Sequence, residues 1–185
     1  MTGLVTVRLA EPADVPAIQA IEIAAGRLFA DIGMHDVAEG GPHETAVLMR
    51  SISTGRAWVA ESDGRVCGYA LADVMDGAAH LEQVTVDPDW GRRGIGRRLI
   101  DAVVGWAKAD GRSALTLLTF RDVPWNGPYY ARLGFAELPD DRPRPRAGGA
   151  SPPRGRARAR RRRPRRDGAA ALLTRPQGRS SGVGH

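Results

Sequence analysis

Apolar and polar residues alternate over Val5-Thr6-Val7-Arg8-Leu9, the period-two pattern of a half-buried strand. After Asp14 the period lengthens. Val15, Ile18, Ile21, Glu22, Ala25, Leu28 and Phe29 recur at mostly helical spacing and predict a helix to about Ala30, with Asp14 as N-cap and Pro16 in its first turn. A loop over Gly33 to Gly41 precedes a second expected helix, Glu44 to Ser53, closed by Thr54-Gly55. Ala57 to Glu61 and Val66 to Leu71 read as strands joined by the hairpin signal Ser62-Asp63-Gly64. A third strand is expected from about His80 to Val86, ended by Asp87-Pro88. Ile95, Leu99, Val103, Trp106 and Ala107 then form one helical stripe, which stops at Asp110-Gly111. Ala114 to Phe120 is a continuous apolar run of the buried parallel kind. Asn126-Gly127-Pro128 opens a short helix through Leu133, with Gly134 after its end and Phe135 to Leu138 as a last short strand. The order β-α-α-β-β-β-α-β-α-β predicts an α/β fold with a mixed central sheet and flanking helices.

Charge divides this chain of 185 residues in two. The net of +6 averages a body, residues 1–141, with 13 basic and 20 acidic residues, and a tail, residues 142–185, with 14 arginines against Asp167. The body is long enough to bury a core of its own. The tail has too few apolar residues to offset its ordering entropy and is expected to be disordered. Such a division excludes a uniformly basic domain. Cys67 is the lone cysteine, which excludes a disulfide framework, and the four histidines lack ligand spacing, so no metal is expected. No apolar run approaches the roughly 20 residues of a membrane helix, and no signal peptide is read at the N-terminus; a cytoplasmic protein is the expectation.

The chemistry concentrates in Val84-Thr85-Val86-Asp87-Pro88-Asp89-Trp90-Gly91-Arg92-Arg93-Gly94-Ile95-Gly96-Arg97-Arg98. Gly94 and Gly96 allow a tight turn whose N–H groups converge, and the helix that follows adds its free N–H groups and positive dipole end. A phosphate or pyrophosphate fits such a place, and Arg92, Arg93, Arg97 and Arg98 supply charge. The stretch is not a P-loop, because no Lys-Ser/Thr follows, nor a dinucleotide fingerprint, because its spacing is G-x-x-G-x-G. A tight turn with solvated arginines is the plain alternative.

The pattern V-x-V-x-P-x-x-x-x-x-G-x-G, followed by R-R-L-I and later by N-G-P-Y-Y-A-R-L-G-F, resembles the GNAT superfamily of acetyl-CoA-dependent N-acyltransferases over about residues 4–138. One departure is Gly91, where the family often has Gln or Arg. The resemblance implies acetyl-CoA as co-substrate, with its pyrophosphate enclosed by Arg92, Arg93, Gly94, Ile95, Gly96 and Arg97 and its pantetheine arm paired to the backbone of Val84 and Val86. Those two valines are equally at home as core strand. It also implies direct attack of an amine, small-molecule or peptide, on the thioester, with no covalent enzyme intermediate. Tyr130 matches the tyrosine that protonates the leaving thiolate in that family, a role suited to a phenol with an ordinary pKa near 10. Tyr129 is expected to pack.

Glu82 stands on the strand before the loop, where a carboxylate is costly unless solvated or paired; it is the candidate base, acting through water, with an arginine pair as the plain alternative. Asn126 could touch substrate or cap its helix, Trp125 could wall the acceptor pocket or join the core, and Asp31, Asp36 and Glu39 would favour a cationic amine. Cys67 reads as a buried inert thiol and His80 as strand-edge packing. Nine arginines in residues 154–166 offer a sequence-independent nucleic-acid arm, the route to a rival reading of the chain as a nucleic-acid-binding protein; a domain that binds CoA without catalysis is a second rival. GNAT enzymes usually close with one more strand. After Asp141 no run alternates or is β-branched, so that final strand is expected to be missing or replaced, with the tail as an out-of-frame extension.

Overall fold

A computed structural model of the chain describes residues 3–30, 41–120, 126–138 and 170–176. Among them are seven strands, β1 (Thr6–Leu9), β2 (Ala57–Ser62), β3 (Arg65–Met75), β4 (Ala78–Val86), β5 (Ala114–Phe120), β6 (Ala136–Glu137) and β7 (Ala170–Pro176). The helices are α1 (Val15–Ala30), α2 (Thr45–Ser53), α3 (Ile95–Ala109) and α4 (Asn126–Arg132). The hydrogen-bonded strand order is β1-β2-β3-β4-β5-β7-β6. β2 runs antiparallel to β1 and β3, and β7 antiparallel to β5 and β6, while β4 and β5 are joined through α3, the kind of crossover that parallel neighbours of a mixed sheet require. The chain divides into two compact units, one of residues 1–73 and 81–111, the other of 74–80 and 112–185.

In the first unit β2 pairs with β1 and β3, and side chains alternate between the two faces. Val59, Tyr69 and Leu71 pack with Ile18 and Ile21 of α1 and Leu48 of α2 in one core. Trp58 meets Trp106 of α3 on the opposite face, ring centroids 5.9 Å apart. The β2–β3 turn is Asp63-Gly64, both at positive φ (51° and 76°), the backbone that suits the twist of a two-residue hairpin. Between Ala60 and Glu61 the register shifts, leaving Cys67 as the extra residue of a bulge. Its carbonyl accepts the Asp87 N–H at 3.0 Å, which ties the end of β4. The Cys67 thiol is fully buried, and burial pushes its pKa up, the state of an inert thiol.

Asp14 differs from its expected role. It lies in a 3-10 turn, Pro12–Asp14, and its carboxylate turns back to the Glu11 N–H (2.7 Å) and to Arg8 (2.7 and 2.9 Å) rather than capping α1. The Arg8 guanidinium holds the Asp14 carboxyl below its ordinary range.

In the second unit Asp76-Gly77 forms another positive-φ turn (48° and 81°). It extends β3 and β4 well past the expected ends at Leu71 and His80. The short strand expected over Phe135 to Leu138 contracts to the two residues of β6. The expectation of a missing final strand is corrected. Residues 170–176 form β7, antiparallel to β5 from Ala114↔Pro176 to Phe120↔Ala170, and to β6 at Ala136↔Thr174 and Glu137↔Leu173. Ala-Ala-Leu-Leu has no strand preference by itself; backbone pairing on both edges supplies it. Expected disorder is thereby corrected for residues 170–176, while 142–169 and 177–185, with the arginine run 154–166, lie outside the described residues.

Candidate active site

The loop after β4 is a series of tight backbone steps. Asp87 accepts from the Asp89 N–H at 3.0 Å, and Pro88–Trp90 makes one 3-10 turn. Gly91, where the loop departs from the family pattern, has an ordinary extended backbone, whereas Arg92 (φ 60°) and Gly94 (φ 75°) are left-handed. A left-handed arginine is strained, a recurrent mark of functional loops. Gly94 is the N-cap of α3, and the first helical hydrogen bond runs from Arg98 N–H to Gly94 carbonyl at 3.2 Å. The N–H groups of Ile95, Gly96 and Arg97 therefore precede the helical ladder, with no acid in the first turn to compete for them.

Gly68 sets how closely α3 approaches. A Cβ there would stand 3.0 Å from the Thr85 carbonyl oxygen and 3.3 Å from Ile95 and Leu99, both buried. The four arginines are exposed and only lightly held. Arg93 stacks on Trp90 at 4.8 Å, Arg97 lies 3.7 Å from Asp101, and Arg98 donates to the Val5 carbonyl at 2.7 Å. An exposed cation–π contact and a long i,i+4 pair are each worth under about 1 kcal/mol, so the Arg93 and Arg97 guanidinium groups can turn toward an anion at little cost. Val84 and Val86 are half-buried, in contrast to Ala79, His80 and Leu81 earlier on β4. Glu82 is exposed, which resolves the cost of a strand carboxylate through solvation.

A second cluster in the same unit was not among the sequence candidates. Glu22 on α1 accepts the His43 backbone N–H at 2.9 Å, and its other oxygen lies 2.6 Å from His43 Nδ1. Burial alone would raise the Glu22 carboxyl, but these bonds hold it below its ordinary value. The bond to Glu22 raises His43 against the effect of burial, and the charge of Glu82 adds to it. The Tyr69 hydroxyl is buried with no hydrogen-bond partner among the described residues. Burial and then the Glu22 charge push its pKa far up. One signal was available: Glu22 is an acid inside an apolar helical stripe.

Tyr130 belongs to the second unit, on α4. Its ring packs edge-on against Tyr129 (5.3 Å) and Phe135 (5.8 Å). Burial pushes its phenol up to about 12, so it is protonated at neutral pH. His80, expected to pack, is buried with Nδ1 donating to Thr116 Oγ1 at 2.9 Å, as that hydroxyl donates to the Ala79 carbonyl. Asp31, Asp36, Glu39 and Trp125, and the side chain of Asn126, lie outside the described residues. No group of three or more His, Cys, Asp or Glu able to hold a metal occurs among the described residues, and none of their helices is long and apolar enough to cross a membrane.

Known proteins share this architecture. The chain is 40% identical over 75 residues to a mycothiol acetyltransferase of Thermobifida fusca, a match covering 37% of this chain. The chain spans only 23% and 38% of two curated relatives that it matches. A crystal structure of PaiA N-acetyltransferase from Thermoplasma acidophilum in complex with coenzyme A superposes with a TM-score of 0.70 at 14% identity, covering 94% of this chain and 99% of that one. N-acetylglutamate synthase from Neisseria gonorrhoeae, complexed with coenzyme A and N-acetyl-glutamate, superposes with a TM-score of 0.64 at 20% identity, over 95% of this chain and 36% of that one. The acetyltransferase (GNAT) family model matches residues 27–135, from α1 through α4 to the glycine-phenylalanine pair after it. With that match spanning more than half of its length and the mixed sheet in place, the chain belongs to the GNAT acetyltransferase family.

Proposed function

We propose that the chain transfers an acetyl group from acetyl-CoA to a primary amine, small-molecule or peptide, in the cytoplasm. The observation that carries this reading is the Arg92–Arg97 loop of a GNAT chain: a left-handed Gly94 ahead of three N–H groups outside the helical ladder, with exposed arginines beside them. The residues fit an anionic pyrophosphate on chemical grounds, because donors and cations are present and the helix's first turn has no acid. Arg92, Arg93, Gly94, Ile95, Gly96 and Arg97 would hold the pyrophosphate, and the backbone of Val84 and Val86 would receive the pantetheine arm. Acetyl-CoA supplies an activated acyl group. Tyr130, protonated at neutral pH, would give its proton to the departing thiolate. Glu82, exposed on β4, is the base of this reading, acting through water.

The catalytic domain of this reading begins in the acidic body. It extends beyond residue 141, because β7 pairs with both β5 and β6. Titration of CoA into the chain tests the loop. Substituting Arg92 and Arg93 together by Gln is expected to weaken CoA binding at least about tenfold, from two charge-assisted contacts; unchanged affinity would remove the loop from the site.

A further inference from the structure

Glu22 and His43 are bound more thoroughly than anchoring requires. Glu22 takes both the backbone N–H and the ring of His43, while Gln19, one turn earlier on α1, donates to the His43 carbonyl at 3.0 Å. The two backbone contacts already fasten this segment to α1. The ring contact adds something else: it fixes the plane of the imidazole and commits Nδ1, leaving Nε2 without a hydrogen bond among the described residues. The His43 side chain keeps 25% of its surface open, against 14% for Glu22 beneath it. A base oriented by a carboxylate, on a side chain that keeps part of its surface open, is the arrangement that proton transfer needs.

Two further observations point at a ligand. Tyr69 is fully buried on β3, and its hydroxyl lies within reach of Glu22, Thr85 and Gln83 without closing a well-formed hydrogen bond to any of them. Buried polar groups left unpaired are rare and call for a functional explanation. The charges acting on His43 are both negative, Glu22 from α1 and Glu82 from β4; Tyr69 from β3 is neutral, and Glu44 beside it is exposed. A cation is the species this surface attracts.

We propose that Glu22, His43 and Glu82 form the acceptor subsite of the acetyltransferase read above, that it takes a cationic primary amine, and that His43, positioned by Glu22, accepts the amine's proton. This rests on the acetyltransferase reading. The substrate arrives as an ammonium ion. His43 Nε2 takes one proton, and the freed nitrogen lone pair forms the C–N bond as the C–S bond breaks. Sulfur leaves with the electron pair of the C–S bond and gains a proton, the new amide nitrogen sheds its second proton to replace the one sulfur took, and the one net proton passes through His43 to solvent. Glu82, the water-linked base of the broader reading, here binds the cation.

The test is thiol release from acetyl-CoA with 1,4-diaminobutane and with glutamate, as a function of pH, with CoA affinity measured on every variant. The diamine should exceed glutamate at least about tenfold in kcat/KM, the effect of a net negative subsite. His43→Ala should lower kcat about a hundredfold with CoA affinity unchanged. Glu22→Gln keeps an acceptor for the backbone N–H but removes the charge that raises His43, so the acid limb of the pH profile should move to lower pH. Wild-type rates in His43→Ala, or a Glu22→Gln profile lowered with its limb unmoved, would overturn the proposal. Should the wild-type chain bind CoA and release thiol with neither amine, the acetyltransferase reading fails separately. The His43 ring proton resonance then decides the subsite: movement with 1,4-diaminobutane that is lost in Glu82→Gln supports it, and no movement overturns it.

Discussion

The Gly91–Arg98 loop and the Glu22–His43 pair lie in one unit and hold opposite charge, but they are assembled differently. The loop is one continuous stretch, in which backbone direction does the work and exposed arginines stand by on weak contacts. The pair joins α1 to the segment ahead of α2, and its two side chains are partly buried and hydrogen-bonded directly to each other. An anion site made from N–H groups tolerates wide side-chain variation, whereas a proton-handling site depends on the geometry of two particular side chains. Substitutions that disturb one region should therefore spare the other.

The largest effect sharpens the comparison from outside both regions. Tyr130→Phe removes only a hydroxyl, so kcat should fall about a hundredfold, near 2.7 kcal/mol of transition-state stabilisation, while CoA affinity and the KM for amine stay close to wild type. Steady-state kinetics with a CoA titration checks both halves. Next is Gly94→Val. Space is available for its side chain, but φ of 75° at the N-cap disfavours a β-branched residue by about 1–3 kcal/mol. CoA affinity by calorimetry should drop about tenfold or more, and a pH profile unchanged in position would show that His43 is untouched. An equal loss of CoA affinity in Glu22→Gln would break the comparison.

Smaller effects concern stability. Gly68→Ala crowds the Thr85 carbonyl, where backbone cannot easily give way, and should cost about 1–3 kcal/mol in denaturant unfolding, because α3 must move off the sheet. Asp14→Asn weakens the pairing with Arg8, which is more than a third exposed and so partly screened; about 1–2 kcal/mol is expected. Its sign with pH follows from the depressed folded-state pKa of Asp14. The stabilisation is present above the unfolded value, near 3.8, and is lost as pH falls through the folded value. Wild type and Asp14→Asn should then converge in strong acid, with no difference in kcat at neutral pH.

The same contrast explains what was legible in the sequence. The arginine loop, the helix after it and the Asp63-Gly64 turn each carry their signal within a few residues, and each stands where it was expected. Asp76-Gly77 carries the same turn signal, yet its neighbours Met75, Ala78 and Ala79 lack the branched residues that mark strands, so the long β3–β4 hairpin was cut short. β7 was missed for a related reason, since Ala170 to Leu173 owe their conformation to partners on β5 and β6. His43 carried no local signal. Its role depends on a carboxylate 21 positions earlier, and only the presence of Glu22 among the apolar residues of α1 hinted at it.

The central claim is the reaction itself, and amine-dependent thiol release tests it most directly. With the full chain and acetyl-CoA, one free CoA thiol should appear for each acetylated 1,4-diaminobutane amine detected by mass, at a rate that falls about a hundredfold in Tyr130→Phe. CoA binding without any amine-dependent thiol release, across primary amines of both charge types, would contradict it.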